Sequence, residues 1–247
     1  MSIEDKTVLI TGANRGIGRA LLEEALHRGA KRVYAGRRQP WTHPDARVTP
    51  LRLDVTSAAQ IRAAADSIGS LDVLISNAGV SLYSELGDRG ALERHLAVNL
   101  FGVYDVTHAM LPLLLESRGA IVHVGSLAAL APVPIDPTYA ISKAAALSLT
   151  QSVRAALAGT GVSVHAVLPG PVDTDMAPKI DIPKASPDSV ARAILDGVAD
   201  GDEEIFPDPI SASIAHGWRN GVSKALERQF AAFAEPEPVS DLSASTA

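Results

Sequence analysis

The chain of 247 residues contains no cysteine, so disulfides, thiolate catalysis and cysteine-based metal sites are excluded. Basic residues are outnumbered, with 22 Lys and Arg against 28 Asp and Glu, and they are scattered along the sequence. A general nucleic-acid-binding protein would need a basic face, so this class is excluded. No apolar stretch approaches the roughly 18 residues that a membrane span requires. We therefore expect a soluble cytoplasmic protein with neither nucleic acid nor membrane as a partner.

Three other kinds of site are also set aside. The seven histidines form no HExxH motif, so no metal site is predicted. His123 and His165 fall within apolar runs and are interpreted as hydrogen-bonded core residues. The acidic run 202–204 is interpreted as a solvated turn before a strand. Ser126 is flanked by VGSLA instead of GxSxG, which excludes the nucleophile elbow of a serine hydrolase.

Short β-branched runs alternate with helical patterns along the chain. The runs are nearly continuous in apolar residues, as expected for parallel strands that are covered on both faces. They lie at 7–11, 32–36, 48–55, 71–77, 119–126 and 162–169, with a weaker candidate at 203–206. A helical pattern at 17–29 ends at Gly29, a typical stop signal. The alternation predicts an α/β protein with one doubly wound parallel sheet of about seven strands.

No linker divides the chain, so a single domain is predicted over residues 1–234. Segment 171–187 carries four prolines and little periodicity, which predicts a lid near 173–187. Residues 235–247 are small, polar and proline-bearing, and a disordered tail is predicted there. For 205–234, a last helix over a pocket and an interface are equally compatible with the sequence.

A glycine-rich turn joins the first strand to the first helix. Glycines allow a tight turn and a close approach to a ligand, and a helix N-terminus offers free N–H groups to a pyrophosphate. Such a turn can also be merely a tight loop, but strand–turn–helix is the context that dinucleotide binding requires. The predicted cofactor contacts in this turn are Gly12, Asn14, Arg15, Gly16, Ile17 and Gly18.

The second strand ends in AGRR, residues 35–38, and no Asp or Glu occurs between Glu24 and Asp45. A carboxylate at this place would bind the ribose 2′-hydroxyl of NAD, whereas arginine suits a 2′-phosphate. Arg37, Arg38 and Arg15 therefore predict a cationic pocket that favours NADP(H), with NAD(H) as the alternative. The competing structural interpretation is three solvated surface arginines.

Tyr139 and Lys143 lie four residues apart on a helical pattern, so their side chains share one face. A nearby cation stabilises a phenolate and lowers its pKa, which would make Tyr139 a general acid or base. Alone, the pair is also compatible with a core tyrosine beside a snorkelling lysine. Ser126 directly follows the fifth strand, at the edge where open α/β sheets bind ligands. Its hydroxyl could hold a substrate oxygen beside the tyrosine.

These features together resemble the short-chain dehydrogenase/reductase family. The glycine turn matches TGxxxGxG, and residues 139–143 match YxxSK. Further matches lie at Asn99 in HLAVNLFG, at Asp54-Val55, at Ser76-Asn77-Ala78-Gly79, and at Pro169-Gly170-Pro171-Val172-Asp173-Thr174. The segment 76–79 departs from the family's NNAG because serine replaces the first asparagine. The matches follow the family's order over roughly residues 5 to 210.

The resemblance implies a Rossmann-type fold and a catalytic set of Asn99, Ser126, Tyr139 and Lys143. In the family, the asparagine helps bind a water that relays protons to the lysine, and the lysine also binds the nicotinamide ribose. The implied cofactor contacts beyond the glycine turn and the arginines are Asp54, Val55, Asn77, Ala78, Gly79, Tyr139, Lys143, Pro169, Gly170, Val172 and Thr174. The family is usually dimeric or tetrameric through helices that correspond to 91–116 and 139–158.

We therefore expect hydride transfer between NADP(H) and a carbonyl/alcohol pair, with a small molecule as substrate. Met176, Ala177, Ile180 and Ile182, with the segment 79–86, favour an apolar ketone, aldehyde or secondary alcohol. Two alternatives stay open. One is unusual chemistry on the same scaffold, such as cofactor-assisted oxygenation, dehydration or epimerisation. The other is a dinucleotide sensor without turnover, which would not need the intact set of four residues.

Overall fold

The computed structural model describes residues 1–177 and 182–231 and contains one seven-stranded parallel sheet. The strands are β1 Thr7–Thr11, β2 Arg32–Arg37, β3 Val48–Arg52, β4 Val73–Ser76, β5 Ala120–Val124, β6 Ser163–Val167 and β7 Glu204–Ile205. They are ordered β3-β2-β1-β4-β5-β6-β7 across the sheet. The predicted doubly wound parallel sheet is confirmed, and all seven predicted runs contain a strand.

Helices cover both faces of the sheet. They are α1 Gly16–His27, α2 Ala58–Ser67, α3 Arg89–Leu96, α4 Gly102–Ser117, α5 Pro137–Ala156, α6 Pro187–Asp200, α7 Pro209–Arg219 and α8 Val222–Ala231. A π-helical turn, Ala97–Phe101, joins α3 to α4. Helix α5 begins at Pro137, where the missing N–H of proline costs no hydrogen bond.

Two apolar cores lie on opposite faces of the sheet. One contains Leu21 of α1 and Ile194 of α6, and the other contains Ile61 of α2 and Met110 of α4. Every residue of β1, β4 and β5 is buried, as the nearly continuous apolar runs predict. Because the central strands are buried on both faces, they are held firmly in place. Their carboxyl ends therefore form a rigid edge on which a ligand-binding site can be built.

The helical run Arg89–Ser117 is the single stretch, among the residues described, that is long and apolar enough to cross a membrane by length and composition. The sequence analysis did not identify it, because the run is broken by polar residues. Its inner face, with Val106, Met110 and Leu114, packs into the second core against the sheet. A helix that is buried in a protein core meets the same criteria of length and apolar composition as a membrane-spanning helix.

The acidic run 202–204 differs from its predicted role as a solvated turn. Glu204 is only 3% exposed and lies in β7. Its carboxylate oxygen lies 2.8 Å from Nζ of Lys224 and 2.8 Å from Nη1 of Arg154. The prediction was wrong for Glu204 because its cationic partners come from α8 and α5, remote in sequence. Ile180 and the predicted tail 235–247 lie outside the described residues.

The two histidines predicted as core residues are buried in strands, as expected. Nδ1 of His123 in β5 lies 2.9 Å from the hydroxyl of Thr150, and its Nε2 lies 3.0 Å from that of Thr107. His165 in β6 contacts the backbone carbonyl of Asp202 at 2.6 Å. Both rings satisfy their nitrogens within the protein, as a structural role requires.

Candidate active site

A cleft of about 750 Å³ opens at the carboxyl edge of the sheet, beside the point where the chain order reverses between β1 and β4. Open α/β sheets bind ligands at such a switch point. The cleft is lined by every residue predicted to be catalytic or to bind cofactor except Asn99. These lining residues are Gly12, Asn14, Arg15, Gly16, Ile17, Gly18, Arg37, Arg38, Asp54, Val55, Asn77, Ala78, Gly79, Ser126, Tyr139, Lys143, Pro169, Gly170, Val172 and Thr174.

The glycine turn forms one wall of the cleft and is locked to the end of β4. Gly12 has a φ of +68°, a conformation that a side chain would strain. A Cβ on Gly18 would overlap the carbonyl of Gly12 and the side chain of Asn77. The side-chain amide of Asn77 donates to the carbonyls of Thr11 and Gly12, at 3.0 and 3.3 Å. The first turn of α1 has no side-chain cap, and its residues Gly16, Ile17 and Gly18 line the cleft, so its backbone N–H groups lack a side-chain acceptor there and fit an anion.

The three arginines of the predicted cationic pocket have different surroundings. Among the described residues, Nε of Arg37 is buried without a hydrogen-bond partner, and its guanidinium lies 5.5 Å from the ring centroid of Trp41. Arg15 instead pairs with Asp175, with Nη1 3.2 Å from the carboxylate. The unsatisfied donor of Arg37 fits a group with anionic oxygens, so this end of the cleft suits the 2′-phosphate or ribose of a dinucleotide.

Asp54, at the other wall of this end, has a pKa below its usual range. The main cause is the hydrogen bond from the backbone N–H of Thr56 to its carboxylate, at 3.0 Å. The hydroxyl of Thr56 also donates to it, and the charge of Arg38 acts in the same direction. The carboxylate is therefore held ionised and oriented beside the cleft.

Tyr139, Lys143 and Ser126 meet at the opposite end of the cleft. The hydroxyl of Ser126 is close enough to that of Tyr139 to lower the pKa of the tyrosine. Nζ of Lys143 lies 5.7 Å from the ring centroid of Tyr139 and donates to the carbonyl of Val124 at 3.0 Å. Because the strand end and the first turns of α5 meet here, a serine, a phenol and an ammonium share one small volume.

The electrostatics of this group differ from the sequence-based expectation of a lowered tyrosine pKa. Desolvation raises the pKa of Tyr139 to about 12, which outweighs the lowering effect of the Ser126 hydrogen bond. Desolvation likewise lowers the pKa of Lys143 to about 8. In the free chain Tyr139 is thus held as a neutral phenol, the form that donates a proton. Burial dominates because Lys143 is directed to a backbone carbonyl and not to the phenol oxygen.

Asn99 lies behind the cleft, in the π-helical turn. Its side chain accepts from the N–H of Val80 and donates to the carbonyl of Val80, both at 2.9 Å. It also donates to the hydroxyl of Ser142 on α5, at 2.9 Å. A Cβ on Gly79 would lie 3.3 Å from Oδ1 of Asn99 and 3.7 Å from Nζ of Lys143, so these groups are close neighbours. Asn99 thus connects the segment after β4 to the helix that carries Tyr139 and Lys143.

The sequence analysis missed two buried polar residues next to Tyr139. His95 of α3 is fully buried, and its ring packs edge-on against Tyr139 with centroids 5.9 Å apart. Asp136, the residue before α5, is 3% exposed and lines the cleft. The Asp-Pro pair at 136–137 was a recognisable helix-start signal. Nothing in the local sequence indicated the burial of His95.

The sheet order, the glycine turn at the switch point and the serine–tyrosine–lysine group define a dinucleotide-binding oxidoreductase of the α/β class. Residues 6–184 match the family model described as short chain dehydrogenase. The chain belongs to the short-chain dehydrogenase/reductase family, and it is an NAD(P)-dependent oxidoreductase. The resemblance stated from the motifs is confirmed.

Relatives and solved structures cover most of the chain. An uncharacterized oxidoreductase of Staphylococcus epidermidis is 32% identical over 208 residues, 78% of this chain and 90% of the relative. The 2-(R)-hydroxypropyl-CoM dehydrogenase of Xanthobacter autotrophicus is 32% identical over 207 residues, 76% of this chain and 83% of the relative. A short chain dehydrogenase from Burkholderia cenocepacia, solved in complex with NADP, is 35% identical with a TM-score of 0.85, covering 93% of this chain and 98% of that one.

Proposed function

We propose that the protein transfers a hydride between NADP(H) and a carbonyl/alcohol pair, with an apolar ketone, aldehyde or secondary alcohol as substrate. The observation that carries this proposal is one cleft with the unpartnered Nε of Arg37 at one end and the Ser126–Tyr139–Lys143 group at the other. The alternatives of unusual chemistry and of a sensor without turnover gain no support from any observed contact.

The chemistry follows from the positions of the side chains. The bound nicotinamide supplies or accepts the hydride. In the reducing direction Ser126 and Tyr139 hold the carbonyl oxygen by hydrogen bonds, and Tyr139 donates its proton to that oxygen. Lys143 stabilises the phenolate that results and binds the nicotinamide ribose. Asn99 positions α5 and the segment after β4, and it supports the return of a proton to Lys143.

Preference for NADP(H) over NAD(H) is supported by two observations. The buried Nε of Arg37 has no partner among the described residues and needs an acceptor. The 35% identical structure from Burkholderia cenocepacia was solved with NADP. Arg38 and Arg15 add positive charge at the same end, once Arg15 leaves Asp175. NAD(H) is the alternative cofactor.

The substrate end of the cleft is lined mainly by apolar side chains. These are Val80, Val133, Ile135, Met176, Ala177 and Ile182. They favour an apolar substrate over a sugar. We also propose a homodimer or homotetramer, because Phe101, Tyr104 and Ile141 are exposed on the two long helices. The absence of cysteine is compatible with the cytoplasmic location that we propose.

The cofactor proposal is tested by titrating the protein with NADPH and with NADH and following nicotinamide fluorescence. We expect NADPH to bind more tightly, and Arg37→Asp to weaken its binding about 10- to 100-fold, since a charge-assisted phosphate contact is lost. Arg32→Asp is the matched control, because Arg32 begins the same strand and stacks on Tyr34. Equal affinities for both cofactors in the native chain would contradict the phosphate pocket.

The redox proposal is tested with a panel of apolar ketones and aldehydes. Tyr139→Phe should lower kcat at least about 100-fold, the typical contribution of a positioned acid or base, while NADPH binding changes little. Unchanged turnover in Tyr139→Phe would overturn the assignment of Tyr139. Consumption of NADPH in proportion to substrate, without a need for oxygen, separates simple reduction from oxygenation.

A further inference from the structure

A buried carboxylate stands at the start of the catalytic helix and does not cap it. Asp136 is the N-cap residue of α5, yet its side chain accepts no hydrogen bond from the first turn of that helix. An N-cap aspartate normally accepts from the second or third helical N–H. The carboxylate instead reaches the loop after β4, residues 80–84, which we call the substrate loop because it borders the cleft beside Tyr139.

The substrate loop supplies four donors to this one carboxylate. The hydroxyl of Ser81 donates to Oδ2 at 2.6 Å, and the N–H of Tyr83 donates to the same oxygen at 3.2 Å. The N–H and the hydroxyl of Ser84 donate to Oδ1, each at 3.4 Å. Together these donors hold the carboxylate in a fixed position beside the substrate loop. Tyr83 adopts a φ of +49°, and the carboxylate helps hold that uncommon backbone conformation.

A second anchor, next to the first, uses His95. The N–H of Leu82 donates to Nε2 of His95 at 3.1 Å, so the proton of the neutral ring is on Nδ1. Nδ1 then donates to the hydroxyl of Thr138 on α5, at 2.9 Å. The substrate loop is therefore fixed to the helix start at two adjacent points, and Tyr139 is one residue further along that helix.

Charge is distributed unevenly along the cleft. Arg15, Arg37 and Arg38 line the cofactor end together with the carboxylate of Asp54. At the substrate end, the charged side chains among the described lining residues are the ammonium of Lys143 and the carboxylates of Asp136 and Asp175. Asp175 pairs with Arg15. No Lys or Arg forms an ion pair with Asp136 in the part of the chain that the structure describes, and the ammonium of Lys143 donates to the carbonyl of Val124 instead.

We propose that Asp136 sets the substrate selectivity of this site: it positions the substrate loop beside Tyr139, and its negative charge, which has no ion-pair partner among the described residues, makes the enzyme favour neutral over anionic substrates. The proposal rests on the proposed function, since it names the substrate class of the same cleft. A like charge brought close in a poorly solvated site is strongly disfavoured. The same charge supports the neutral form of Tyr139, whose pKa is raised first by burial and then also by Asp136. Asp136 acts through the loop and through its field, so it is a positioning residue.

The charge selectivity is tested with benzamide and benzoate, two unreactive probes of the same shape that differ in charge. Calorimetric titration of the full chain, with and without NADPH, gives their dissociation constants. We expect benzamide to bind at least about 10-fold more tightly than benzoate, and Asp136→Asn to reduce this preference to about threefold or less. Ser84→Ala is the control, because it removes a loop contact without removing the charge, and it should keep the preference.

Loop positioning is tested by hydrogen exchange of the cofactor-free chain. Asp136→Ala should speed exchange of the Tyr83 and Ser84 amides by about 10-fold or more, because these two N–H groups lose their acceptor, while the β4 amides stay protected. Asp136→Asn, which retains an acceptor oxygen, should show a smaller increase. Unchanged exchange in Asp136→Ala, or a benzamide preference that is absent in the native chain or persists in Asp136→Asn, would overturn the proposal.

Reduction of benzaldehyde with NADPH is measured separately. If benzaldehyde and the ketone panel are not reduced while the probe preference and the exchange rates change as expected, the proposed function fails and the role of Asp136 stands. If benzaldehyde is reduced and neither readout responds to substitution at Asp136, the proposed function stands and this inference fails.

Discussion

Two lysines of this protein are buried almost equally, and their surroundings are opposite. Lys143 is 6% exposed and Lys224 is 2% exposed. Lys143 has no carboxylate within ion-pair distance among the described residues, and its ammonium donates to the carbonyl of Val124. Burial lowers its pKa to about 8. Lys224 lies 2.6, 2.8 and 3.0 Å from carboxylates of Glu203, Glu204 and Glu227.

The pKa of Lys224 is correspondingly raised, because these three carboxylates outweigh the lowering effect of burial. Arg154 of α5 joins the same cluster, with Nη1 2.6 Å from Glu227 and 2.8 Å from Glu204. The cluster thereby connects α8 to α5 and to the edge strand β7. A buried cation surrounded by anions holds elements together, whereas one without an anion is destabilising unless a ligand or a developing charge uses it. The comparison therefore separates a structural lysine from a functional one.

The largest effect is expected from Lys143→Met. Removal of the ammonium should lower kcat about 1,000-fold, since both phenolate stabilisation and the contact to the nicotinamide ribose are lost. The free energy of unfolding at pH 7 should stay equal or rise, because an unpaired buried charge is replaced by an apolar side chain of similar length. Steady-state turnover and denaturant unfolding measure the two effects. A large loss of stability would contradict the functional interpretation of Lys143.

The pH dependence gives the control for this variant. The unfolded chain keeps a proton on Lys143 up to about pH 10.5, while the native chain releases it near pH 8. The unfolded state thus binds more protons between these values, so native stability should rise with pH there, by up to about 3 kcal/mol. Lys143→Met should lack this rise. Parallel stability curves for both chains would show that Lys143 is not desolvated as the structure indicates.

The converse effect is expected from Lys224→Met. Three carboxylates would then lose their buried ammonium and keep Arg154 as the cation paired with two of them, and breaking a buried ionic cluster costs about 3–5 kcal/mol of stability. The kcat should change by less than about threefold, because the cluster lies outside the cleft. Urea unfolding and turnover measure both. Arg62→Met on the exposed side of α2 is the control, because it removes a cation outside the cluster, with an expected change of about 0.5 kcal/mol or less.

The contrast between the two lysines also shows what the sequence can reveal. Lys143 could be assigned because its partner Tyr139 lies one helical turn away, and such short-range spacing is readable. The strands of the sheet could also be predicted, because each apolar run is a short-range pattern within the sequence. Lys224 could not be assigned, because Glu204 comes from an edge strand 20 residues earlier and the run 202–204 has the composition of a solvated turn. Asp136 carried a helix-start signal, but its contacts with the substrate loop, more than 50 residues earlier, were not visible locally.

The smallest effect concerns His123, which lies between the two regions. Burial lowers its pKa to about 3, and the charges of Arg154 and Lys143 act in the same direction. Its ring is therefore neutral in the native chain, and the Nδ1 proton is donated to Thr150, whose hydroxyl donates in turn to the carbonyl of Ala146. Arg154 of the structural cluster and Lys143 of the catalytic group therefore both lower the pKa of His123 through their positive charge.

As pH falls below about 6.5, the unfolded chain takes up a proton at His123 and the native chain does not. Because of His123, the free energy of unfolding should therefore fall by about 1.4 kcal/mol for each pH unit. His95 and His165, whose pKa values are also lowered by burial, add to the slope of the native chain. His123→Gln should reduce that slope by about 1.4 kcal/mol per pH unit in urea unfolding between pH 6 and pH 5. In Lys143→Met the slope should persist, because burial and not the lysine is the largest cause of the lowered pKa. Equal slopes for the native chain and His123→Gln would mean that protonation of His123 is tolerated in the fold.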